Sequence, residues 1–151
     1  MGEIGLKKKW FIFFLILISI FMLISLYIEE EGVLEEEKVV EKKVDDFVIH
    51  MKVEREKSGI EVHHSLQYIG EGKVEILHQT PLISVSLPNK NHDFTGSLIH
   101  KKMAKGNIYY QEPKIMSPIE EKGECNLYVR AKFLVNNKLV TIEHVEPLMF
   151  N

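Results

Sequence analysis

The stretch Gly123–His144, GECNLYVRAKFLVNNKLVTIEH, alternates apolar and polar residues with a period of two. In a strand, the apolar positions of its first half share one face, and they are Cys125, Leu127, Val129, Ala131, Phe133 and Val135. Asn136-Asn137-Lys138 supplies turn residues, and Leu139–His144 is the returning strand. The stretch therefore predicts an antiparallel hairpin with one buried face and one wet face.

The same period of two recurs from residue 47 onward, with turn residues every 8 to 12 positions. The predicted strands cover residues 47–53, 60–68, 74–76, 82–87, 97–100 and 108–110, followed by the hairpin. Residues 47–151 are therefore predicted to be an all-β domain. The expected fold is an antiparallel immunoglobulin- or fibronectin-like β-sandwich of about seven or eight strands, and a small open barrel is the alternative.

The N-terminal part of the chain contains an uncharged apolar run, Trp10–Ile28. As a helix, this run is about 28 Å long, close to the roughly 30 Å hydrocarbon core of a bilayer. Three lysines precede it and three glutamates follow it. The pattern predicts a transmembrane helix at residues 10–28 that acts as a signal-anchor in the lipid bilayer. Residues 1–9 are then a cytoplasmic head, and the C-terminal domain is extracytoplasmic.

Two alternatives to this anchor are a cleaved signal peptide and a buried soluble helix. The run is longer than the usual 7 to 15 apolar residues of a signal peptide, and no small-residue cleavage site follows it. A buried helix of this composition needs apolar partners on every side, which a domain of about 105 residues cannot supply. The uncleaved anchor is the expectation.

Charge divides the rest of the chain at residue 46. Residues 29–46 contain nine acidic residues and three lysines, which predicts an acidic linker or stalk. Residues 47–151 contain thirteen Lys or Arg and twelve Asp or Glu, so this domain is nearly neutral. A neutral domain offers no electrostatic case for a nucleic-acid partner. The single cysteine, Cys125, rules out an internal disulfide and is expected to be a small buried residue.

The sequence contains no pattern that identifies a reaction. A nucleophile elbow, a phosphate-binding loop and a dinucleotide fingerprint are all missing. His63 and His64 are adjacent and would point to opposite faces of a strand, and a metal site built from His64, His78 and His100 has no zinc-like spacing. We therefore expect no enzyme activity, no catalytic residues, no cofactor and no metal site.

Three segments carry a family resemblance: Gly59–Gly70 (GIEVHHSLQYIG), Val74–Pro81 (VEILHQTP) and Gly123–Phe133 (GECNLYVRAKF). Together they resemble small N-terminally membrane-anchored proteins of Gram-positive spore-forming bacteria. The order of strands is similar, more loosely, to the bacterial intracellular proteinase inhibitor domain. That resemblance implies an immunoglobulin-like sandwich over about residues 47–150, and it transfers no catalytic residue.

The expected function is that of a non-enzymatic binding or structural module of the cell envelope with a protein partner. One alternative is an inhibitor or immunity-type protein that acts on an extracellular hydrolase. Its binding loop would be residues 89–96 or residues 112–123, the longest segments without a clear strand pattern. The other alternative is a histidine metal-binding domain.

Overall fold

The computed structural model describes residues 13–23, 32–57, 59–117 and 122–151. The chain divides into two compact units, Met1–Glu30 and Glu31–Asn151. In the first unit the described residues form one helix, α1, at residues 13–23.

The predicted transmembrane helix at residues 10–28 is wrong. Among the described residues, the apolar run contains the helix α1 at residues 13–23. Within the described residues, no helix combines the length and the apolar character needed to cross a membrane. The remaining ends of the run, residues 10–12 and 24–28, lie outside the described residues, as does the predicted head at residues 1–9.

The described residues of the second unit form ten strands in two sheets. The strands are β1 (Lys38–Val44), β2 (Phe47–Glu56), β3 (Gly59–Tyr68), β4 (Lys73–Gln79), β5 (Ile83–Ser86), β6 (Leu98–Ala104), β7 (Ile108–Tyr110), β8 (Lys114–Met116), β9 (Gly123–Val135) and β10 (Lys138–Phe150). The first sheet has the order β1-β2-β3-β7, and β8 also pairs with β3. The second sheet has the order β10-β9-β4-β6, and β5 also pairs with β9. All pairings between these strands are antiparallel.

The described residues form ten strands, two more than the eight stretches predicted, and the additional strands are β1 and β8. The strand β8 lies inside residues 112–123, a segment without a clear strand pattern in the sequence. It pairs with β3, as β7 does, and residues 111–113 separate the two along that partner. A strand of three residues is too short for alternation to reveal it.

The other additional strand, β1, lies inside residues 29–46, the range predicted to be a linker. It pairs with β2 along its whole length, and the side chains of Val40 and Val44 pack against the core. Just before β1, the amide of Glu35 donates to the backbone oxygen of Met149 in β10, 2.9 Å away, and Leu34 is 1% exposed. The many charges hid a short apolar pattern, so the folded domain begins before residue 47.

The core lies between the two sheets. The ring of Phe47 in β2 packs edge-on against Phe133 in β9, with centroids 4.9 Å apart, and contacts Tyr68 in β3. The alternation in β9 is confirmed: Leu127, Val129, Ala131 and Phe133 are all buried. The residues Cys125 and Val135 lie on the same face and are half-buried at its ends. The unit is thus a two-layer, sandwich-like β fold.

The predicted turn of the β9–β10 hairpin is confirmed. The backbone φ angles of Asn136 and Asn137 are +50° and +64°, and Val135 pairs with Lys138 on either side of them. Two consecutive positive φ angles match the right-handed twist of a hairpin, and asparagine accepts that conformation more readily than most residues. The turn therefore fixes which face of β10 joins the core.

Candidate functional site

The outer face of the second sheet carries a row of three leucines on neighbouring strands. Leu77 of β4 lies opposite Leu134 of β9, and Leu134 lies opposite Leu139 of β10. On β9 the residues of odd number face the core, so Leu134 points to the outside. The other outward positions of β9 near Leu134, including Arg130 and Lys132, are polar. The row is therefore an apolar interruption of a polar face.

Two more apolar side chains extend this row into a larger patch, here called the leucine face (Leu77, Phe94, Leu98, Leu134 and Leu139). All five residues border a shallow cavity of about 230 Å³. Leu98 is 62% exposed and Leu139 is 53% exposed. Apolar side chains grouped in this way on a water-facing sheet are typical of an interaction surface. The sequence contained the signal, a leucine at outward positions of two adjacent strands, but we did not predict this site.

Polar and charged side chains border the leucine face. His100 of β6 lies opposite Leu77, and its Nδ1 contacts the carboxylate of Glu75 at 2.8 Å. Lys132 borders the cavity on the β9 side. An apolar centre with a polar rim is the usual arrangement of a protein-binding surface.

A second cluster of polar side chains lies on the outer side of β5, beneath the loop of residues 87–97. The Nδ1 of His92 and the Oγ of Ser84 share a hydrogen bond of 3.1 Å. The hydroxyl of Ser86 donates to the backbone oxygen of Asn89, and the amide of Asn91 donates to the same hydroxyl. These contacts fasten the loop to the strand. Burial, helped by the nearby Arg130 cation, lowers the pKa of His92.

The Ser84–His92 pair has the residue types of a nucleophile and its base. However, Ser84 is 6% exposed, and both of these side chains are used to hold the loop. Among the residues that the structure describes, no carboxylate is hydrogen-bonded to the His92 ring to orient it. Acyl transfer needs an accessible hydroxyl and an oriented base, so the geometry favours a structural role for this pair.

The edge of β5 that faces away from β9 is covered by polar side chains of the first sheet. The Nζ of Lys114 in β8 donates to the backbone oxygen of Val85 at 2.9 Å, and the side chain of Gln111 accepts from the amide of Leu82. His64 of β3 is buried, and its Nδ1 donates to the backbone oxygen of Val62. Burial, with a contribution from the Lys114 cation, lowers the pKa of His64.

The three histidines considered for a metal site lie in separate environments. The side chain of His64 is buried in the first sheet. In the second sheet, His78 is buried with its ring 5.7 Å from that of Tyr109, and His100 is exposed beside Glu75. Over the described ranges, no group of three or more His, Cys, Asp or Glu side chains is placed to hold a metal ion.

The two loops considered for an inhibitor differ from that expectation. Residues 89–96 are fastened to β5, and the amide of Gly96 donates to the backbone oxygen of Thr80 at 3.0 Å. Residues 112–123 include the strand β8, which pairs with β3. Residues 118–121 lie outside the described residues.

No protein-family model matches this chain, and no characterised protein matches it in sequence.

Proposed function

We propose that this protein is a non-enzymatic binding module that contacts a protein partner through the leucine face. The observation that supports the proposal is the row of Leu77, Leu134 and Leu139 across three neighbouring strands, with Leu98 more than half exposed beside it. Burial of these side chains against a partner is favourable by about 25 cal/mol for each Å² of apolar area removed from water.

We infer an immunoglobulin-like connectivity for the β domain. The order of strands supports this inference, because β2, β3 and the interrupted β7–β8 strand form one layer, and β10, β9, β4 and β6 form the other. Consecutive strands β3 and β4 lie in different sheets, as do β6 and β7. Sandwiches of this kind occur in many cell-surface proteins, where they act by binding.

The proposed location is the extracytoplasmic side of the cell membrane. The uncharged residues 10–28 and the three lysines before them support this location, because a basic segment followed by an apolar run is typical of chains that are directed to a membrane. A protease added to intact cells should cleave an epitope tag placed after Asn151, and protection of the tag until lysis would contradict this location.

Site-specific crosslinking tests the leucine face. A photoreactive amino acid at position 139 of the full-length chain should give a crosslinked band in intact cells, and Leu98→Ser should weaken that band. The control position is 39, because Val39 is 75% exposed on β1 at the edge of the other sheet. The same band from both positions, or a band from 139 that Leu98→Ser does not change, would show that the leucine face is not the binding surface.

A further inference from the structure

Within the described part of the chain, the strand β6 is an edge of the second sheet, with β4 on one side and no strand on the other. At one end of the β4–β6 pair the amide of Thr80 donates to the backbone oxygen of Ser97, and at the other end the amide of Lys105 donates to the backbone oxygen of Gly72. Because hydrogen-bonded pairs alternate in an antiparallel ladder, the residues of β6 with odd numbers bond to β4. Leu98, His100 and Lys102 therefore direct their N–H and C=O groups away from the sheet.

One contact supports this orientation directly. The amide of Ala104, the next residue of even number, donates to the side-chain oxygen of Asn107, which lies beyond the edge of the sheet. This contact closes the end of the edge nearest to the β6–β7 turn. The six outward backbone groups of Leu98, His100 and Lys102 have no partner strand within the part of the chain that the structure describes.

The edge also carries positive charge. Residues 94–111 contain Lys101, Lys102 and Lys105 and no acidic residue. Lys105 pairs with Glu71, but Lys102 makes no ion pair within the described ranges, because the carboxylate of Glu75 opposite it contacts His100. The Nζ of Lys101 lies 4.7 Å from the ring centre of Tyr109. Among the described residues, Lys101 and Lys102 at this strand edge thus have no acidic partner.

Lysines on an edge strand usually prevent pairing with another copy of the same edge, because like charges then lie together. Another edge strand, β1, is also rich in lysine, with Lys38, Lys42 and Lys43. The lysines of β6 instead favour pairing with a strand that carries acidic side chains. We propose that β6 receives an extended acidic segment of the partner protein as an added antiparallel strand. This inference rests on the proposed function, since it describes the partner of that binding module.

The side chains of β6 indicate the order of residues in the added strand. Its first half presents Leu98 and Ile99, and its second half presents Lys101 and Lys102. An antiparallel partner strand runs from Lys102 toward Leu98. It should therefore begin with two acidic residues opposite Lys102 and Lys101, continue with one residue opposite His100, and end with two apolar residues opposite Ile99 and Leu98. The backbone bonds supply affinity, and the order of side chains supplies selectivity.

The test uses the full-length chain in detergent micelles and the capped peptide acetyl-Thr-Glu-Glu-Thr-Val-Leu-Thr-amide. We expect the peptide to bind and to shift the backbone NMR signals of β6. Lys101→Glu combined with Lys102→Glu should weaken binding by about tenfold, since two exposed ion pairs become two repulsive contacts. The matched control, Lys42→Glu with Lys43→Glu on β1, should change the affinity by less than about twofold.

Two altered peptides test the mechanism separately. Lysine in place of both glutamates should abolish binding. Methylation of the backbone nitrogens of the first glutamate and the middle threonine of the peptide, which lie opposite Lys102 and His100, should do the same. Equal binding by the lysine peptide would overturn the charge argument, and equal binding by the methylated peptide would overturn strand addition. Vesicles with anionic lipid form a further arm. If Lys101 and Lys102 are needed for vesicle binding and the peptide does not bind, the edge is a lipid contact and the proposal is wrong.

The variant Leu134→Ser separates this inference from the proposed function, because Leu134 lies opposite position 139 and leaves that position free for the photoreactive amino acid. Peptide binding that survives Leu134→Ser, together with loss of the crosslink from position 139, supports two adjoining surfaces. Loss of the crosslink without any peptide binding leaves the leucine face in place and overturns the added strand. Peptide binding without any crosslink from 139 supports the edge and contradicts the leucine face.

Discussion

The side chain of Lys114 in the first sheet donates from Nζ to the backbone oxygen of Val85 in the second sheet, 2.9 Å away. The strand β5 has β9 on one side only, so this oxygen lies on an edge without a neighbouring strand. A lysine from the opposite layer thus replaces the missing ladder bond, because an unpaired carbonyl away from water is costly.

Removal of the Lys114 amine should destabilise the domain. Lys114→Met keeps most of the aliphatic chain but leaves the Val85 oxygen without its donor, at a cost of about 1–3 kcal/mol. The midpoint of urea unfolding, followed by circular dichroism, measures this change. Lys138→Met, at an exposed position of the β9–β10 hairpin, is the control and should stay within about 0.5 kcal/mol of the wild type. Equal effects of the two substitutions would contradict the role of Lys114.

The stability should depend on pH through His64. Burial lowers the pKa of this ring in the folded state, so the unfolded chain binds a proton at a higher pH than the folded chain. The free energy of unfolding should therefore fall as the pH decreases below about 6.5, until the folded-state pKa is passed. The change in pKa of His92 has the same direction and adds to this loss.

His64→Asn should reduce this pH dependence, because the amide can still donate to Val62 but does not titrate. Unfolding by urea at a series of pH values between about 5 and 8 gives the slope. His92→Asn should remove a separate part of the slope, and the double substitution should remove both. A slope that neither single substitution changes would show that these rings are not its source.

The contact between Phe47 and Phe133 should carry a large part of the core stability. Phe133 is 1% exposed, and Phe133→Ala should cost about 3–5 kcal/mol because it opens a cavity between the sheets. Leu139→Ala on the outer face is the control and should cost less than about 1 kcal/mol. Unfolding by urea measures both variants. A small loss for Phe133→Ala would mean that the two layers do not share one packed core.

The segment before residue 47 should be needed for a stable domain. A chain that begins at residue 47 lacks Leu34 and the strand β1, whereas a chain that begins at residue 31 keeps both. We expect the shorter chain to lose at least about 3 kcal/mol, since a buried leucine alone is worth about 2–5 kcal/mol. Comparison of the two urea transitions gives the difference. Coincident transitions would restore the interpretation of residues 29–46 as a linker.

The guanidinium of Arg55 offers a finer test of the same segment. Its Nη2 donates to the backbone oxygen of Leu34 at 2.6 Å, which holds the chain where it passes from one sheet to the other. Arg55→Met should speed hydrogen exchange at the Glu35 amide, which donates to Met149, while exchange in the middle of β9 stays slow. Unchanged protection of Glu35 would argue that the backbone pairing alone holds this segment.

Much of the fold was predictable, because alternation with a period of two depends only on which residues can be buried. That pattern located the strands from β2 to β5, the pair β6 and β7, and the long hairpin. The pattern failed at β1, where charged residues outnumber apolar ones. The transmembrane helix at residues 10–28 was predicted from apolar composition instead, and that prediction was wrong. The leucine face depends on Leu77, Leu134 and Leu139 being neighbours, and residues 77 and 134 meet only through the pairing of β4 with β9.

The sequence by itself determined that the greater part of this chain is antiparallel β structure, and it determined which face of β9 is buried. Alternation along a strand places the apolar side chains on one face and the polar side chains on the other. An antiparallel sheet can bury the first face in the core and expose the second to water. Only the tertiary structure decided that Lys114 completes the edge of β5 and that three leucines form one outer patch. It also decided that β6 keeps a free, positively charged edge. These features depend on the pairing of strands far apart in the chain, which local alternation does not specify.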